Sequence, residues 1–111
     1  MSLNTISIAG NLGDDPVVNY SGSTGEPVAN FDLAFNCGKD KTGWIRCCAF
    51  KKTAEIVERF LHKGARVAIT GSLSENSWVT DDNQKRKTTE IIVHNVEFIK
   101  TDGRGFENGQ N

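Results

Sequence analysis

Thr42-Gly43-Trp44-Ile45-Arg46-Cys47-Cys48-Ala49-Phe50-Lys51-Lys52 is the stretch whose reading decides the fold. Taken as a β-strand, its side chains alternate between two faces. Ile45, Cys47 and Ala49 share the face a core needs. Trp44, Arg46, Cys48 and Phe50 share the other, and Lys51 and Lys52 follow. Two large aromatics with a guanidinium between them suit stacked bases and a phosphate backbone, because every base has a π-face and every nucleotide a charge. The strand therefore reads as the floor of a single-stranded nucleic-acid groove.

The flanking sequence supplies the rest of a small β-protein. Thr5–Leu12 alternates, with Ile6, Ile8 and Leu12 on one face and Gly10 where a strand glycine marks a bend or a close approach. Gly13-Asp14-Asp15-Pro16 is a turn signal, after which Val17–Tyr20 resumes extended structure. Val28–Asn36 is a second strand, with Phe31, Leu33 and Phe35 inward and Asn30, Asp32 and Asn36 outward. Cys37–Gly43 reads as a short basic turn. Thr53–Lys63 changes period: Ile56, Val57, Phe60 and Leu61 form one helical stripe, with Thr53 as N-cap and Gly64 past the end. Ala65–Trp78 and Thr88–Ile99 are strands joined across a polar tip, Asp81–Lys87, as a long hairpin. Phe31, Phe35, Phe60 and Phe98 are expected in the core. The order is all-β with one helix, β-β-β-α-β-β, that of a five-stranded OB barrel with a long strand 4–5 arm. The expected division is one domain over residues 1–100 and a flexible tail over 101–111. An open sandwich is the structural competitor.

Composition narrows the function. The chain has 111 residues and a net charge of −1, enough for one core. Residues 1–38 contain four acids and no Lys or Arg, whereas residues 39–66 contain eight bases against Asp40, Glu55 and Glu58. A local basic patch on a near-neutral protein still marks a polyanion partner. Arg46, Lys51, Lys52, Lys63 and Arg66 are the expected phosphate contacts. Lys85, Arg86 and Lys87 extend them along the arm, and Trp78 at its base is a third stacking candidate. Asn30 and Asn36 are placed to meet sugars or base edges, and Asp32 to repel phosphate. The three cysteines lack metal-ligand spacing and read as reduced thiols. No phosphate loop is present, and neither His62 nor His94 has an evident nucleophile or metal partner. No enzyme activity, cofactor or metal is expected. Without a long apolar run or a secretory pattern, the expectation is an intracellular protein with no membrane span.

Taken together, Ala9-Gly-Asn-Leu-Gly-Asp-Asp-Pro16, Val28-Ala-Asn-Phe31, Trp44-Ile-Arg46, Ala49-Phe-Lys-Lys52, Phe60-Leu-His-Lys-Gly64, Val67-Ala-Ile-Thr-Gly-Ser-Leu73 and Trp78 resemble the bacterial-type single-stranded DNA-binding proteins, a family also found in plastids, mitochondria and phages. The resemblance runs from about Asn4 to Phe98. It implies sequence-tolerant coating of single-stranded DNA in replication, recombination and repair, and a homotetramer of OB folds, in a bacterial cytoplasm or nucleoid or with a plastid or phage origin. It matches stacking residues to Trp44, Phe50 and Trp78, and backbone cations to Arg46, Lys52 and Lys63. Three features depart from the family pattern. The strand 2–3 loop is short, leaving Lys39 and Lys41 but no tryptophan. Ile45 stands where a histidine is common. The sequence ends Gly109-Gln110-Asn111 rather than in an acidic tip, so partner recruitment through that tip is not carried over. The rival readings are an OB-fold replication-restart or RNA-binding factor, and an oligomeric scaffold whose aromatics bury in a protein partner.

Overall fold

The structure, a computed structural model, describes residues 3–100. Its elements are β1 (Ile6–Leu12), β2 (Val17–Tyr20), β3 (Pro27–Gly38), β4 (Lys41–Phe50), α1 (Lys51–Phe60), β5 (Arg66–Val79) and β6 (Lys85–Lys100). The opening stretch of sequence spans β4 and the start of α1. The expected tail, residues 101–111, lies outside the described residues.

The strand pairings form a ring. β3 runs antiparallel to β4, and β4 parallel to β6. β6 is antiparallel to β5, and β5 to β1. β1 then returns to β3 through Asn11 opposite Ala34 and Leu12 opposite Leu33. Five strands thus close on one another, the architecture of the OB fold. The expected order does not count β2 as a strand. It pairs with β3 from Pro27 to Asn30, continuing the line of β1 along the same edge. The turn at Gly13–Pro16 breaks that line, and proline has no N–H to bridge the gap.

Alternation places the core inside the ring. Leu12, Phe31, Leu33, Cys47, Ala49, Val67, Ile69, Ile91 and Val93 are buried. Ile45, half-buried, packs against the same cluster, so it belongs to the barrel interior. Cys47 and Ala49 are small because α1 packs its Ala54 and Val57 into the same cluster. Phe60 meets Phe98 at 5.5 Å between ring centroids, tilted by 59°, a favoured aromatic geometry.

The helix N-cap falls three residues earlier than its sequence signals. Phe50, extended at φ −124°, occupies the N-cap position without a side-chain cap, and Thr53 lies inside the first turn. The chain turns from strand to helix at Lys51, whose φ is +55°, a left-handed conformation unusual outside glycine. At the other end, Leu61 is extended and buried. His62, Lys63 and Gly64 therefore form a separate turn, closed by the Ala65 N–H donating to the His62 carbonyl at 3.0 Å. Ala54 takes the inward place expected of Ile56, which is exposed. Phe35, expected in the core, lies instead over Gly43 on the β3–β4 hairpin, because that hairpin extends past the barrel. The expected basic turn shrinks to Lys39 and Asp40, with Cys37 displaced at a bulge. The arm tip contracts likewise, since Lys85–Lys87 already belong to β6.

Two glycines allow the ring to close. A Cβ on Gly10 would lie 2.2 Å from the Ala34 carbonyl oxygen, and one on Gly71 would lie 2.0 Å from that of Ile92. Both neighbours are backbone and cannot swing aside. Gly10→Ala and Gly71→Ala are each expected to destabilise the fold by about 1–3 kcal/mol through overpacking. Urea unfolding midpoints test this against Gly22→Ala, where a Cβ meets nothing within 4 Å.

Candidate nucleic-acid interface

Residues paired directly across a sheet point to the same side, so the register defines the outer face. One row runs Arg66, Asn11, Ala34, Trp44 across β5, β1, β3 and β4. A second runs Asp32, Arg46, Glu90, Ser74, and a third Val17, Asn30, Cys48, Ile92, Ser72. Asn19, Val28 and Phe50 form a fourth. Trp78, expected at the base of the hairpin, lies instead near its tip, because β5 continues to Val79; it is paired with Arg86 on the side that carries Glu90. Trp44, Phe50 and Trp78 therefore open onto one curved surface. They are 61%, 43% and 48% exposed, so none of the three serves the core. Trp44 and Phe50 stand six residues apart, roughly 20 Å along β4.

Each aromatic has its own support. The six-membered ring of Trp44 lies against Gly13, where a Cβ would fall 2.4 Å from Cζ3. The Gly13 N–H donates to the Asp32 carbonyl at 3.1 Å, which ties this bed to β3. Phe50 borders a hollow lined by Ser21, Thr24, Glu26, Pro27, Val28 and Lys51. Beside it, α1 begins with Lys51 and Lys52 and has no acid in its first turn. Cations at a helix N-terminus oppose the dipole, so the arrangement concentrates positive potential next to Phe50 at a cost in local stability.

The remaining cations differ in their partners. Arg66 Nη1 donates to Asn11 Oδ1 at 2.9 Å, and Asn11 Nδ2 donates to the Gly64 carbonyl at 3.1 Å. The Lys63 N–H donates to Asp15 Oδ1 at 2.8 Å. This network fastens the turn after α1 to the β1–β2 turn, and brings Lys63 and Arg66 to the Trp44 end. On the arm, Arg86 Nη2 donates to Gln84 Oε1 at 2.8 Å. Lys87 pairs with Glu75 at 3.7 Å. Alternation puts Lys85 and Lys87 on the face of the arm opposite Arg86, so the three cations are not one stripe. Arg46 pairs with Asp32, Nε to Oδ1, at 3.6 Å. Asn30 faces outward, half-buried. Asn36 accepts from the Gly38 N–H at 2.9 Å and so holds the bulge at the hairpin.

Sequence reasoning missed three features. Glu90 lies on the aromatic face beside Arg46, a neighbour created only by the parallel β4–β6 contact. Gly13 as the bed of Trp44 depends on a turn returning over β4. Cys48 points outward yet is 7% exposed, because Asn30 and Ile92 flank it on both sides. No group of three or more metal-ligating side chains occurs among the described residues. No described helix is long and apolar enough to cross a membrane.

An OB barrel bearing an open face of aromatics ringed by cations defines a nucleic-acid-binding module. The chain belongs to the single-strand binding protein family, which it matches over residues 3–99. It is 32% identical, over 105 residues, to a single-stranded DNA-binding protein of Clostridium perfringens, covering 93% of this chain and 70% of that one. Its fold is similar to that of the Plasmodium falciparum SSB in complex with ssDNA, with a TM-score of 0.82 and 30% identity, covering 90% of this chain and 97% of the other.

The cysteines supply a check on these positions. Burial is the main cause that pushes the Cys47 thiol from 9.0 up to about 12, and it also raises Cys48. The thiolate is the reactive form. At mildly alkaline pH the native chain is expected to react with a disulfide reagent at the exposed Cys37 alone. Cys47 and Cys48 should titrate only after unfolding. Since the folded thiol of Cys47 holds its proton longer, stability should decline as pH rises from 9.0 towards about 12, which alkaline unfolding curves measure.

Proposed function

We propose that this chain binds single-stranded DNA without sequence preference and without catalysis, coating it during replication, recombination and repair. The observation that carries the reading is the shared face of Trp44, Phe50 and Trp78, the first two exposed on the outer side of the barrel sheet and the third on the arm. Bases stack on these rings. Lys51, Lys52, Lys63, Arg66 and Arg86 take phosphates around the margin, with Lys85 and Lys87 on the far side of the arm and Asn30 and Asn36 meeting sugars or base edges. Stacking contributes about 1–3 kcal/mol per base and tolerates any base, while the cations make binding fall with salt.

The family supports a homotetramer. From Ile6 to Gly10, β1 has β5 on one side and no ladder partner on the other among the described residues. An open strand edge of this kind is a ready template for a second copy.

Oligo(dT) should quench the fluorescence of Trp44 and Trp78 at low salt; an unchanged signal would overturn the reading. Trp44→Ala and Phe50→Ala should each weaken binding by roughly 1–3 kcal/mol without lowering the unfolding midpoint. Lys52→Ala should flatten the dependence of log K on log salt by about 0.7, one phosphate on a single strand. Oligo(U) bound as tightly as oligo(dT) would favour an RNA-binding factor. Multi-angle light scattering should return four chains, and a monomer mass would rule the tetramer out.

A further inference from the structure

Arg46 stands at the centre of the aromatic face, between Trp44 and Phe50 on β4, and its neighbours on both adjacent strands are acids. Asp32 on β3 and Glu90 on β6 are its directly paired residues. Asp32 lies 3.6 Å away, both side chains about half exposed. Asn76 donates to Glu90, holding that carboxylate on the same face. Burial is the main cause that raises the Cys48 thiol, two positions along the face; the nearby Glu90 adds to that rise and Arg46 opposes it. The adjoining hollow is lined by Asp14, Asp15 and Asp32 around Arg46. The rim differs. Arg66 and Arg86 are held by the neutral amide oxygens of Asn11 and Gln84, which orient a guanidinium without cancelling its charge.

We propose that Asp32 and Glu90 are internal counterions that withhold Arg46, a phosphate contact by the sequence reading and the family pattern, from the nucleic-acid backbone, so that phosphates follow the rim cations and the centre of the face meets bases. This rests on the single-strand reading of the face. To engage Arg46, a phosphate has to displace Asp32 and then lie within a Debye length, ~10 Å at 0.1 M salt, of further carboxylates. A base carries no charge and meets no such barrier. The row therefore keeps the strand in register over the aromatics. It also limits affinity, which favours release when the strand is handed on.

The test is a fluorescence titration with oligo(dT) over a salt series, with folding of each variant checked by its thermal melt. Asp32→Asn and Glu90→Gln keep the side-chain shape and remove the charge. Each should tighten binding about three- to tenfold at low salt, and Asp32→Asn should steepen the salt slope by about 0.7 as Arg46 gains a phosphate. Combining Arg46→Ala with Asp32→Asn should abolish the gain of Asp32→Asn, because the freed guanidinium is what takes the phosphate. Unchanged or weaker binding by Asp32→Asn overturns the inference. So does a flatter salt slope for Arg46→Ala alone, because Arg46 would then already hold a phosphate. No fluorescence response from the unaltered chain would remove the single-strand reading itself, and the inference with it.

Discussion

The return of β1 to β3 is the contact on which the rest of this structure depends. It consists of two residue pairs, Asn11 with Ala34 and Leu12 with Leu33, and the backbones approach there because residue 10 has no Cβ. Without it the five strands would remain an open sheet with two bare edges. With it, Leu12 and Leu33 are sealed inside, and the row from Arg66 to Trp44 becomes continuous across the seam. The same closure brings the turn at Gly13 over β4, where it supports the Trp44 ring. The fold and the binding face are thus consequences of one close approach.

The binding face is where the chain departs from what stability alone would select. Three large aromatics remain open to water, and the helix starts with two lysines at its positive end and no side-chain cap. Lys51 adopts a left-handed backbone at the junction. Each feature is unfavourable for the folded chain on its own, and those of the helix start lie beside Phe50 on the aromatic face. The described residues contain no buried side-chain nitrogen or oxygen without a partner. Unfavourable local arrangements gathered on one surface mark where a ligand completes the environment.

Much of this is legible in the order of residues alone. Period-two alternation puts Trp44 and Phe50 opposite Cys47 and Ala49, and the chemistry of the outward set names the ligand class. The errors come from local signals overridden by tertiary contacts. Thr53 is a good N-cap residue, but β4 ends at Phe50 and the helix starts at once. Phe35 has core chemistry, yet its strand runs beyond the barrel and its ring covers Gly43 instead. Ile56 fits a helical stripe, but Ala54 packs more closely against the small residues of β4.

By itself the sequence determined which side chains share a strand face, because alternation follows from the covalent geometry of an extended chain and needs no partner. That was enough for the class of fold, the outward-facing aromatics and the net-positive segment around them. Only the tertiary structure decided which strands are neighbours. That choice made Asp32 and Glu90 the flanks of Arg46, and gave Arg66 its neutral amide partner, Asn11. The charge of a side chain is written in the sequence. Whether that charge is available to a ligand depends on what lies a few ångströms away across the sheet, and cross-strand neighbours come from parts of the chain that no local pattern connects.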